Sequence, residues 1–106
     1  IKCINFIKKI KKNLEMKNFN IIYSKTIPYL KKNLKKYDVI FLDPPYNYTQ
    51  TKYNEIIDLI LEKNMIKNFG SIIIEHSKFI NFKTHNKFHQ MKKYGKVHFT
   101  FLKYEK

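Results

Sequence analysis

Four consecutive residues, Asp43-Pro44-Pro45-Tyr46, have the makeup needed to handle an amino group that is a poor nucleophile. An exocyclic amine on a nucleobase has its lone pair delocalised into the ring. Two acceptors must take its two hydrogens and aim the nitrogen at an electrophilic carbon. The Asp43 carboxylate supplies one acceptor. The Pro44 carbonyl supplies the other, because a Pro-Pro step holds the backbone near an extended conformation. As positive charge builds on the attacking nitrogen, its hydrogen bond to Asp43 strengthens, which favours the transition state over the ground state. Holding nitrogen, methyl carbon and the sulfur of a sulfonium donor in line adds a proximity contribution. Tyr46 offers a flat face for an extruded base, a contact worth roughly 1–3 kcal/mol. Asn47 and Tyr48 follow directly and are candidates for the wall of the same base pocket. Asp before Pro also opens ordinary turns, so the catalytic reading depends on the elements on either side.

Those elements have the right character. Val39-Ile40-Phe41-Leu42 is a continuous apolar run, as expected of a parallel strand buried on both faces. Two prolines cannot continue a central strand, so the chain must leave the sheet at Asp43. Ligands in open α/β sheets bind beyond such carboxyl ends. Residues 52–63 take helical spacing through Ile56, Ile57, Leu59, Ile60 and Leu61. Asn68-Phe69-Gly70 reads as a turn, with Gly70 free to adopt a positive φ. A second buried strand, Ser71-Ile72-Ile73-Ile74-Glu75, follows. Upstream, Ile1, Ile4, Ile7, Ile10 and Leu14 form one apolar stripe of an amphipathic helix over 1–17. A short strand over 20–23, a turn over 24–26 and a helix from Pro28 to about Lys36 come next. Residues 77–87 are irregular. The strands 88–94 and 97–104 form an antiparallel hairpin turning near Tyr94-Gly95. The order predicts an α/β fold with a mixed sheet.

Composition sets the bounds. A chain of 106 residues provides one small domain. Lys+Arg number 22 against 8 Asp+Glu, a formal charge of +14. Such a surface attracts polyanions. All of that positive charge is Lys, and Ile and Asn are abundant, as an AT-rich coding sequence favours, so charge alone is weak evidence for RNA. Cys3 is the only cysteine, which excludes an intramolecular disulfide. No apolar run approaches the roughly 20 residues of a membrane span. The expectation is a cytoplasmic protein.

The stretches 37–46, Gly70 to Ser77 (with Glu75-His76-Ser77 at its end) and Lys93-Tyr94-Gly95-Lys96 resemble, in this order, the RsmD family. These are bacterial enzymes that methylate the 2-amino group of a guanine in 16S ribosomal RNA. The resemblance implies a Rossmann-like class I methyltransferase fold, S-adenosyl-L-methionine as cofactor, and ribosomal RNA or the small ribosomal subunit as partner of a monomer. It implies catalytic roles for Asp43, Pro44, Pro45 and Tyr46. Asp43 would also face the cofactor. Ser24 or Lys25 would occupy the loop that in the family lies near the cofactor's adenine, although family members often carry an acid or an amide there. The family's glycine-rich cofactor loop has no counterpart: Gly70 and Gly95 are the two glycines. The expectation is therefore that residues 1–106 are the C-terminal part of a single methyltransferase domain. Such a part would have marginal stability and no activity alone. The strand at 20–23 would then pair directly with that at 39–42.

Further residues are candidates for substrate contact. Glu75-His76-Ser77 sits at the carboxyl end of the second buried strand, so Glu75 and His76 should face the same cleft as Asp43. Lys92, Lys93 and Lys96 flank the hairpin turn near Tyr94, a pattern able to grip phosphate and stack a base, or simply to protect an edge strand. His85 and His89 have a helical metal spacing but no third ligand nearby, so no metal site is expected. Two alternatives stay open: a fragment of a DNA adenine amino-methyltransferase, and a non-catalytic basic fragment that binds RNA.

Overall fold

A computed structural model gives the arrangement of residues 9, 12, 21–24, 36–44 and 47–105. Five strands form one sheet: β1 (Ile21–Ser24), β2 (Tyr37–Leu42), β3 (Ile66–His76), β4 (Phe88–Tyr94) and β5 (Val97–Lys103). Their spatial order is β1-β2-β3-β5-β4. The first three run parallel, while β5 is antiparallel to both β3 and β4. This is the expected mixed sheet with a terminal antiparallel hairpin. Of the expected first helix, only Lys9 and Lys12 fall among the described residues, and both are helical. The expected second helix lies outside them, apart from Lys36, which is not helical.

Burial explains the apolar runs. Ile40 and Leu42 of β2 and Ile72 and Ile74 of β3 join one core cluster, together with Leu102 of β5. Val39, Phe41, Ile73 and Phe99 form a second cluster on the opposite face. Both faces of the two central strands are therefore buried, and neither can afford a polar alternation. β1 lies directly beside β2, from Ile21 opposite Val39 to Ser24 opposite Leu42. Ser24 is thus the last residue of a strand and not the first of a turn.

The helix α1 (Gln50–Glu62) covers the first cluster with Tyr53, Ile56, Ile57 and Ile60. It begins two residues before the apolar spacing suggests, because Thr49 caps it: the Thr49 hydroxyl accepts from the Lys52 N–H at 3.2 Å. Its end is also built locally. Asn64 takes a φ of 52°. The Asn64 N–H then reaches the Leu61 carbonyl and the Met65 N–H the Ile60 carbonyl, a Schellman pair that buries Met65.

The expected turn at 68–70 is instead part of β3. Tyr37 pairs with Ile66 and Val39 with Ser71, so two steps on β2 span five on β3. Phe69, not Gly70, carries the positive φ, at 65°. Gly70 is needed for space: a Cβ there would lie 2.8 Å from the carbonyl oxygens of Asp38 and Lys67. Among the described residues, no helix is long and apolar enough to cross a membrane.

Candidate active site

Strand register creates the site. Leu42 pairs with Ile74, so the next residues, Asp43 and Glu75, come together at the carboxyl ends of β2 and β3. Asp43 is half-buried as the chain leaves the sheet, and Pro44 is buried. Burial, a side-chain hydrogen bond to Asp43 and repulsion from its charge, in that order, push Glu75 up to about 8. Near neutral pH Glu75 therefore keeps its proton. The Glu75 hydroxyl donates and an Asp43 oxygen accepts.

The backing of this pair comes from α1 and β5. The Tyr53 hydroxyl donates to the Glu75 backbone carbonyl at 3.1 Å. Burial, followed by the charges of Asp43 and Glu75, raises that phenol to about 12, so it stays a donor. His76 is buried, with Nδ1 2.8 Å from the Ser77 carbonyl and Nε2 2.6 Å from Thr100 Oγ1. A carbonyl can only accept, so Nδ1 carries the hydrogen. Burial lowers the imidazole pKa, which leaves the ring neutral and Nε2 accepting from the Thr100 hydroxyl. Edge-to-face contacts join Tyr53 to Tyr48, His76 and Phe82 at 5.9, 6.5 and 5.8 Å.

In front of these groups lies a cavity of about 400 Å³, lined by Asp43, Pro44, Tyr48, Tyr53, Glu75, His76, Ser77, Ile80, Lys96 and Val97. Acidic floor, aromatic walls and one lysine are a suitable enclosure for a flat, hydrogen-bonding ligand. Of the residues expected from sequence, Asp43, Pro44, Tyr48, Glu75, His76 and Lys96 meet here. Pro45, Tyr46 and Lys25 lie outside the described residues. Asn47 is exposed and does not line the cavity. Ser24 ends β1 in register with Leu42, at the same edge of the sheet as Asp43. Lys93 stands opposite His98 on the hairpin and does not itself line the cavity. His76 lines the cavity, but both its ring nitrogens are committed to protein partners. His85 and His89 fall on a loop and on β4, with no shared helix, and His85 Nδ1 accepts from the Lys87 N–H.

Tyr53 and Thr100 were not expected. Tyr53 stands three residues before Ile56 and four before Ile57, so the helical stripe could have included it. Thr100 has no such signal, because its partner is 24 residues away across the sheet.

A family model described as Conserved hypothetical protein 95 matches residues 2–103. The chain belongs to that family. It is the RsmD family whose motifs the sequence displays, and its relatives bear this out. A ribosomal RNA small subunit methyltransferase D from Buchnera aphidicola subsp. Baizongia pistaciae is 42% identical over 80 residues, 76% of this chain and 40% of that protein. The protein of the same name from Buchnera aphidicola subsp. Acyrthosiphon pisum is 41% identical over 73 residues, 68% of this chain and 37% of its own length. The chain thus spans about two-fifths of these curated relatives. Among solved structures, a Haemophilus influenzae protein described as a candidate methylase aligns with a TM-score of 0.61 at 24% identity, covering 93% of this chain and 66% of its own. An Escherichia coli protein described as a candidate methyltransferase aligns at 0.60 and 19%, covering 92% and 56%. Both likenesses concern the fold, which is that of part of a Rossmann-like methyltransferase.

Proposed function

We propose that this member of the RsmD family forms the amino-group-binding side of a methyltransferase acting on the 2-amino group of a guanine in 16S ribosomal RNA. In this reading residues 1–106 are the C-terminal part of a single catalytic domain that works as a monomer on the RNA or on the small ribosomal subunit. The observation that carries it is the Asp43–Glu75 carboxyl pair at adjoining strand ends, facing a cavity walled by Pro44, Tyr48 and Tyr53.

Glu75 holds Asp43 through its proton, and the Asp43 carboxylate accepts one amino hydrogen. The Pro44 carbonyl takes the second hydrogen. Positive charge on the attacking nitrogen then develops against the partly desolvated Asp43–Glu75 pair, where it is stabilised most. The proton that the nitrogen must shed passes to Asp43. Tyr46 stacks on the base, and Tyr48 closes the wall beside it. The carboxyl pair and the aromatic walls suit the cationic methyl end of S-adenosyl-L-methionine, which supplies an electrophilic methyl group when bound. Asp43 would face that end, with Ser24 and Lys25 toward the adenine.

The test is methyl incorporation into 16S ribosomal RNA by a protein of the relatives' full length that carries these residues, with the modified nucleoside identified by mass spectrometry. Expected are methylation of guanine at its 2-amino group and a loss of at least about a hundredfold in Asp43→Ala, with cofactor binding by calorimetry largely kept. Normal turnover in that variant would refute the role of Asp43. A methylated adenine would refute the guanine assignment.

A further inference from the structure

The cavity has a neighbour that the proposed chemistry does not use. Phe79 is 82% exposed, an unfavourable placement for so large an apolar ring. It stands on a turn between Ser77 and Ile80, both of which line the cavity. Two hydrogen bonds fix that turn: the Ile80 N–H to the Ser77 carbonyl at 3.2 Å, and the Phe79 N–H to the Ser77 hydroxyl at 3.3 Å. The ring is thus held out from a built turn beside the site.

Cations gather at the same place from two separate parts of the chain. Lys78 Nζ sits 5.3 Å from the Phe79 ring centroid. Lys93 lies directly across the hairpin from His98, and His98 directly across from His76, so the three form one row over the sheet ending at the cavity. Lys83 comes four residues after Phe79, its N–H donating to Asn81 Oδ1 at 2.9 Å, and burial first, then the charges of Lys93, Lys78 and Lys83, depress the His98 imidazole. Lys96 lines the cavity itself. A flat exposed ring beside converging cations is the arrangement that binds single-stranded nucleic acid, the ring stacking a base and the cations holding phosphates.

We infer that Phe79 with Lys78, Lys83 and Lys93 forms a clamp for one unpaired nucleotide next to the target base, Phe79 stacking on its base and the lysines holding its phosphates. This rests on the RNA reading above and adds to it a flanking-nucleotide subsite. The clamp requires the RNA to be single-stranded there, because a paired base offers no free face.

The chain has no tryptophan, so Phe79→Trp introduces a single emitter at the proposed stack. Addition of a short single-stranded RNA should quench its emission, and a duplex of the same sequence should not. Phe69→Trp is the matched control, since Phe69 is the other large exposed apolar residue among the described residues, 68% exposed near the far end of β3. Its emission should not change. By fluorescence anisotropy with labelled RNA, Phe79→Ala should bind about tenfold more weakly, the size of one base–aromatic stack. Removal of each of the three lysines should reduce the slope of log affinity against log salt by about 0.7. If the unaltered chain binds the RNA but Phe79→Ala binds equally well, or Phe79→Trp is not quenched, the clamp is wrong and the RNA reading stands. Equal quenching by the duplex also overturns the clamp. If the unaltered chain binds no RNA, both fall.

Discussion

The two ends of β3 are specified by different physics. At its amino end the constraint is space. Phe69 is held in a left-handed conformation, an unfavourable one for an aromatic residue, and the Phe69 N–H and the Gly70 carbonyl are tied to Tyr104 at 2.7 and 2.9 Å. Gly70 sits where no side chain fits. The nearby Lys67–Asp38 ion pair, at 3.6 Å and partly exposed, adds little. At the carboxyl end the constraint is a proton. Two carboxyl groups joined by a proton are held together and partly desolvated, with Tyr53 behind them. The first end is arranged for stability. The second gives up stability to hold an acidic pair in front of a cavity, and such local costs belong to functional sites.

The largest effect that tests this contrast is Gly70→Ala. Its Cβ would meet two backbone carbonyls, which cannot move without shifting a strand, and Ile66 Cγ1. The expected loss is about 3 kcal/mol, read from urea denaturation. The titration of Glu75, followed by carboxyl-carbon NMR, should keep its midpoint. A moved midpoint would mean that the two ends are not independent.

Next in size is the pH dependence of Glu75→Gln. Because folding raises the Glu75 pKa from an ordinary 4.5 to about 8, the folded chain keeps a proton that the unfolded chain releases. The associated stability is complete below pH 4.5 and is lost as pH rises through about 8. Gln keeps an N–H donor for Asp43 but does not ionise. Across that window the unaltered chain should lose about 2 kcal/mol relative to Glu75→Gln, the value being reduced by solvent screening of a half-exposed group. Parallel curves would show that the pair does not share a proton.

The sequence made some of this visible and hid the rest for physical reasons. Strands β2 and β3 were legible because burial on both faces leaves apolar runs. Asp43 was legible because two prolines mark where β2 must stop. Glu75 could be placed at a neighbouring strand end, but its bond to Asp43 could not. That bond depends on register, and register depends on the irregular stretch between Ile66 and Ser71. Misreading that stretch as a turn had one cause: two demands fall on adjacent residues. The rule that glycine takes a positive φ pointed to Gly70. The fold uses Gly70 for close packing and leaves the strained conformation to Phe69. The neutral state of His76 was hidden as well, since Thr100 reaches it only across the β3–β5 pairing.

The smallest effect separates the carboxyl end from its support. Tyr53→Phe removes one hydrogen bond, from the phenol to the Glu75 backbone carbonyl. The ring and its edge contacts to Tyr48, His76 and Phe82 remain, so no cavity opens. The expected loss is about 1 kcal/mol, that of a single part-buried neutral hydrogen bond, read from urea denaturation. Removing a neutral phenol leaves the desolvation of Glu75 and its bond to Asp43 in place, so the Glu75 midpoint should stay raised. If it falls back to the ordinary carboxylate range, Tyr53 and not Asp43 is what holds the proton on Glu75, and the contrast between a shaped end and a protonated end of β3 has to be redrawn around α1.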